Sequence, residues 1–218
     1  MILIKIGGSI IAPKDKIWYI NHEYIDNFSK IIQWLDTILV HWTGNIGHWF
    51  IKEYWLSKKT HAIWRRILNN YFKIIEDHFP NHTRLKYDKN IDRTTIKNEI
   101  IIGGDITTDL SIISSDEIFA KVLANTAIQH AIIATDVDGV LDHNNKIIPI
   151  ISKDNIDTIN FRWKKGDVTG SMKQKIALLI QHNNKSTKTV RICNGYNLEN
   201  IKNIITTNKG IGTKVLLQ

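Results

Sequence analysis

The sequence predicts an α/β protein, with a mainly parallel central sheet sandwiched by helices in a single domain over residues 1–218. Three observations carry this prediction. Short isoleucine-rich runs alternate along the whole chain with longer stretches whose apolar residues recur every three or four positions. The runs empty into loops bearing glycine or carboxylate, and a βαβ unit gathers such loops at the carboxyl edge of a parallel sheet, where ligands bind. No linker and no internal repeat interrupts the alternation.

Taken in order, residues 2–6 are a buried strand, apolar except for Lys5, that ends in Gly7-Gly8-Ser9. Paired glycines after a buried strand let bare backbone N–H groups approach a phosphate. Lys5 and Lys14 bracket them. The spacing fits neither a Walker loop nor the dinucleotide fingerprint, so a plain glycine turn stays open at this point. Ile25, Phe28, Ile31, Ile32 and Leu35 form one stripe and predict a helix over 20–36. Residues 37–41 read as a second buried strand, followed by a second glycine-bearing loop, Trp42-Thr43-Gly44-Asn45-Ile46-Gly47-His48. Residues 49–79 are aromatic-rich and helical in pattern, with Ile67, Leu68, Tyr71, Phe72, Ile74 and Ile75 on a broad apolar face. Residues 80–98 are polar and marked by Pro80, Asn81 and Asp88, which suits a hairpin or a surface loop.

Strand character returns at 99–104 and stops at Asp105. A helix is expected over 117–128, capped by Ser114 or Ser115. Residues 131–135 are a buried strand that ends at Asp136-Val137-Asp138-Gly139-Val140, and 147–151 are short and apolar. The cluster Lys164 to Lys175 leads into a helix that runs to about 182. A strand at 190–193 ends in Asn194-Gly195, and a small helix and a strand at 212–215 complete the pattern.

Composition narrows the function. The formal charge is +8, but the lysines are scattered, with no long basic run and no zinc-finger spacing. That charge suits phosphorylated small molecules better than nucleic acid. One cysteine, Cys193, excludes both a disulfide framework within the chain and a cysteine metal cluster. No apolar run approaches membrane-spanning length and no cleavable leader is visible, so a reducing cytoplasm is expected. No Ser-His-Asp arrangement or thiolate nucleophile stands out. What remains is a set of strand-end loops rich in glycine, lysine and aspartate, which is what phosphoryl transfer requires.

Lys5-Ile6-Gly7-Gly8-Ser9, Thr135-Asp136-Val137-Asp138-Gly139-Val140 and Asp167-Val168-Thr169-Gly170-Ser171-Met172 together resemble the amino acid kinase superfamily, and within it the isopentenyl phosphate kinase branch. Gly44 to His48 matches that branch's glycine-rich loop ending in histidine, and Ser114-Ser115-Asp116-Glu117 matches its Ser-Gly-Asp-Asp. The resemblance is good over 1–56 and 100–218 and thin over 57–99. It implies the amino acid kinase fold, with an acceptor lobe over about 1–130 and a nucleotide lobe over about 131–218. It also implies ATP and Mg2+ as cofactors, a small phosphate-bearing acceptor and a homodimer. The implied catalytic residues are Lys5, His48, Asp116 and Lys175. The implied ATP contacts are Lys5, Gly7, Gly8, Ser9, Lys14, Asp136, Asp138, Gly139, Asp167, Thr169, Gly170 and Lys175. The implied acceptor contacts are Gly44, Asn45, Gly47, His48, Gly104, Asp105 and Asp116.

The chain departs from the family pattern in two ways. Ser115 and Glu117 are mild changes. Trp42 is not mild: it stands where the family has a glycine that lets backbone approach phosphate, and Trp55 likewise replaces a customary glycine. An indole at 42 is expected to fill the site or push the loop aside. Either the loop serves another ligand or none, or these tryptophans are UGA codons that the source organism reads as glycine.

Overall fold

The computed structural model describes residues 1–13, 15, 16, 18–54, 58–85, 99–103, 113–162, 172–183 and 187–217. Lys14, Trp55, Gly104, Asp105, Asp167, Thr169 and Gly170 lie outside the described residues, as does the side chain of His48.

Eight strands are described: β1 (Ile2–Ile6), β2 (Thr37–Trp42), β3 (Thr83–Arg84), β4 (Glu99–Gly103), β5 (His130–Thr135), β6 (Ile150–Ile151), β7 (Thr189–Asn194) and β8 (Thr213–Leu216). They form one sheet in the order β3-β4-β2-β1-β5-β7-β8-β6. Among the described strand pairs only β7–β8 is antiparallel. Strand β1 is central, with Lys5 in register with Val40 on one side and Ile133 on the other.

Among the described residues seven helices flank the sheet: α1 (Gly8–Ile11), α2 (His22–Ile32), α3 (Gly44–Tyr54), α4 (Lys58–Glu76), α5 (Ser115–Asn125), α6 (Met172–His182) and α7 (Leu198–Thr207). The period-two alternation of β1 divides the core. Ile4 and Ile6 pack with Phe28 of α2, Trp64 and Phe72 of α4 and Ile201 of α7. Leu3 packs on the other face with Phe119 of α5 and Ile176 and Leu179 of α6. Lys5 shares the parity of Leu3 and therefore points to the α5 side.

The helix over 20–36 is shorter than its stripe, since Leu35 packs against the core from beyond the last turn. The helix expected at 117–128 starts two residues earlier, and Ser114 is its cap. Two segments read as loops turn out to be helix starts. Only Gly7 separates β1 from α1, and only Thr43 separates β2 from α3. In 80–98 the described part contains the two-residue strand β3, parallel to β4, rather than a hairpin arm.

His41 of β2 is 1% exposed and lies between the rings of Tyr71 and Phe72, at centroid distances of 5.9 and 5.8 Å. Burial pushes its pKa down from 6.5 to about 4. Between those values the unfolded chain binds a proton that the folded chain refuses, so stability falls as pH falls through this window, by about 3 kcal/mol in all. Urea melts at pH 7 and pH 4.5 are expected to show this loss, and His41→Phe to remove most of it.

Candidate active site

Lys5 is the penultimate residue of β1 and 6% exposed, a burial that a lysine tolerates only with a partner. The partner is Asp116, whose Oδ1 accepts from Lys5 Nζ. Asp116 is held in place by local chemistry: it sits in the first turn of α5, and its backbone N–H donates to the Ser114 hydroxyl at 3.2 Å. Lys175, in the first turn of α6, completes the group, because its charge reaches both Lys5 and Asp116. Burial pulls the Lys5 pKa below 10.5, Asp116 opposes that pull, and Lys175 reinforces it. Burial alone would raise Asp116, but the attraction of Lys5 and Lys175 and the hydrogen bond from Lys5 together hold it below 3.8. Three side chains singled out from separate parts of the sequence therefore share one site, with more positive charge than negative.

The starts of α1 and α3 touch. A Cβ on Gly8 would lie 2.7 Å from Gly44 Cα and 2.9 Å from its nitrogen. A Cβ on Gly44, where φ is +59°, would lie 2.7 Å from the Gly8 carbonyl oxygen and 2.6 Å from Ala12 Cβ. Only glycine at both positions allows this approach, which brings the first and second glycine motifs side by side. The Gly7 N–H donates to the Ala134 carbonyl at 2.8 Å. The amides that begin α1 and lack an intrahelical acceptor are thus those of Gly8 and Ser9. Trp42 reaches the same junction, with its Cδ1 3.1 Å from where a Gly8 Cβ would stand. The indole thus lies against Gly8.

Asn45 is engaged with the chain's own backbone. Its amide nitrogen donates to the Pro13 carbonyl at 2.6 Å and to the Lys16 carbonyl, and its backbone N–H donates to Ala12 at 3.3 Å. It ties the start of α3 to the backbone of Pro13 and Lys16. Asn45→Ala removes two bonds of about 1 kcal/mol each, and urea melts are expected to show a loss of about 2 kcal/mol. Gly47 sits one turn into α3 against Thr43, whose Oγ1 lies 2.1 Å from where a Cβ would be. His48 follows it on the same helix.

On the other side of β1, Asp136, Asp138 and Gly139 follow the end of β5. The Asn194 amide donates to Asp138 at 2.9 Å, and Gly139 packs on Thr213, whose hydroxyl accepts from the Val140 N–H at 2.8 Å. Sequence reasoning missed Tyr196. It lies just beyond β7, 48% exposed, with its hydroxyl 3.5 Å from the Ser9 carbonyl. The Asn194-Gly195 strand end was the available signal, because the next residue of such a turn faces the ligand edge of the sheet.

Among the described residues no group of three metal-ligating side chains faces a common point.

Known proteins similar to this chain are kinases. A curated isopentenyl phosphate kinase from Thermoplasma acidophilum is 25% identical over 94% of this chain and 96% of its own length. One from Methanocaldococcus jannaschii is 27% identical over 81% and 85%. The crystal structure of the T. acidophilum enzyme in its product complex superposes with a TM-score of 0.67 at 19% identity, covering 99% of both chains, which shows a shared fold. No helix among the described residues is long and apolar enough to cross a membrane. Residues 70–194 match the sequence profile of the amino acid kinase family, and with the Lys5–Asp116–Lys175 site at the carboxyl edge of a parallel sheet this makes the chain a phosphotransferase of the amino acid kinase family.

Proposed function

We propose that the chain transfers the γ-phosphoryl group of ATP to the phosphate of isopentenyl phosphate, giving isopentenyl diphosphate and ADP. The observation that carries the reading is the buried Lys5, charge-paired with Asp116 and within the field of Lys175. Such a site is prepared for negative charge that develops during transfer. Colinearity with the two isopentenyl phosphate kinases supports the acceptor.

In this reading Lys5 and the amides of Gly8 and Ser9 neutralise the migrating phosphoryl group. Asp116 aims Lys5. Lys175, Lys14 and Gly170 hold ATP phosphates, while Asp136, Asp138, Gly139, Asp167 and Thr169 line the nucleotide. His48 binds the acceptor phosphate, beside Gly44, Gly47, Gly104 and Asp105. ATP with Mg2+ supplies the transferable group. The acceptor is already ionised, so the chain needs no strong base and no covalent intermediate, and positioning carries the rate. A cytoplasmic homodimer completes the proposal.

Trp42 favours a second reading, a nucleotide binder without turnover, because its indole lies against Gly8. A coupled ADP-release assay, run on the chain with Trp42 and on Trp42→Gly, separates the two. Turnover of isopentenyl phosphate above that of other phosphates, phosphonates and carboxylates, by either form, supports the kinase. ATP binding by both forms with no turnover of any acceptor overturns it in favour of the second reading.

A further inference from the structure

The chain has seven tryptophans and twelve glycines, where an average chain of this length carries about fifteen glycines. Isoleucine, lysine and asparagine dominate it, the bias of an AT-rich coding sequence. Tryptophan's standard codon, UGG, should be scarce there rather than abundant.

The places these residues occupy add a second line of argument. Trp18 has φ +60°, the left-handed region, and is 51% exposed. For a bulky side chain that conformation is an outlier, and glycine adopts it freely. Its recorded ring contact is an edge-on one with Trp49 at 5.2 Å. Trp34, in the turn after α2, is 84% exposed, the highest value among the exposed large hydrophobics described. Trp42 lies against Gly8 at the junction of α1 and α3. Trp64 is the contrast: it is fully buried and stacked on Phe50 at 4.9 Å, as a core tryptophan should be. Adaptation of one loop to a new ligand would account for position 42. It would not account for 18 and 34, which lie on other segments and share only the residue type.

We propose that positions 18, 34 and 42 are glycine in the protein the cell makes, encoded by UGA triplets that a tryptophan reading misassigns. UGA differs by one base from UGG and by one base from the glycine codon GGA. With glycine at 42, the indole that lies against Gly8 is gone. The inference does not depend on the acceptor assigned above, because its first test involves no turnover.

Peptide mass spectrometry of the protein isolated from its source cells is expected to give glycine at 18, 34 and 42 and tryptophan at 64. Tryptophan at 18 or 42 overturns the proposal. A second measurement uses recombinant protein and inorganic pyrophosphate as the probe. Trp42→Gly is expected to bind it at least tenfold more tightly than the form with Trp42, and equal affinity would refute the claim that the indole occupies the anion's place.

Discussion

Replacing Lys5 with methionine is expected to lower kcat by about 10³-fold, the loss seen when one preorganised donor to a developing anion is removed. Methionine keeps the unbranched stem that packs between Val40 and Ile133 and deletes only the charge. The comparison belongs in whichever form of residue 42 turns over. Stability must be followed alongside, because Lys5 and Asp116 are a largely buried pair, with side chains 7% and 18% exposed. Removing one partner of such a pair costs about 3 kcal/mol, and replacing both with apolar residues can restore it. Lys5→Met with Asp116→Leu is therefore expected to recover the melting temperature of the parent without recovering turnover. A single variant with unchanged kcat would remove Lys5 from the chemistry, whatever its effect on folding.

Much of this site was legible because its signals are local. Lys5 breaks an apolar strand, Asp116 follows a serine cap, and Lys175 opens a helix after a glycine cluster, so each was visible within a window of ten residues. Their meeting was not visible in that way. It follows from β1 lying between β2 and β5, a strand order that periodicity does not give. Strands β1, β2, β4, β5 and β7 were found within one residue at either end, since buried parallel strands read as continuous apolar runs, whereas β6 is three residues shorter than the apolar stretch at 147–151 and β3 was not foreseen. Helix starts were read less well. Gly8 and Gly44 looked like loop residues, because glycine carries a poor helical propensity, and the backbone contact between them that requires glycine is tertiary. The structural bonds of Asn45 were not legible for a related reason. Its neighbours in sequence are motif residues, but its bonds run to Pro13 and Lys16, about thirty positions away in the chain. Tyr196 carried no motif at all, and its place beside Ser9 depends on β7 and β1 flanking the same strand.

Asp116→Ala is expected to move the pH dependence of both rate and stability, in directions that follow from the charges left behind. Burial already draws the Lys5 pKa below 10.5, and Asp116 is the group that resists. Without it, Lys175 still repels Lys5, so Lys5 sheds its proton at lower pH and the basic limb of the kcat profile shifts downward. Stability follows the same proton. Between the folded pKa of Lys5 and 10.5 the unfolded chain holds a proton that the folded chain has lost, so stability rises with pH across that window. Deleting Asp116 extends the window toward neutrality. The variant should therefore lose most at pH 7, by about 3 kcal/mol for a buried charge left unpaired, and should regain part of the loss as the pH is raised. The parent chain also draws stability from Asp116 above pH 3.8 that is lost as pH falls through its depressed pKa, and the variant lacks that acid-side contribution. Urea melts from pH 3 to pH 10 beside a kcat profile test both halves together. A variant whose basic limb coincides with the parent's, or whose deficit is constant with pH, would mean that Asp116 does not set the charge of Lys5. The carboxylate would then be only a helix-start residue, and the case for a site prepared to receive a phosphoryl group would rest on Lys5 and Lys175 alone.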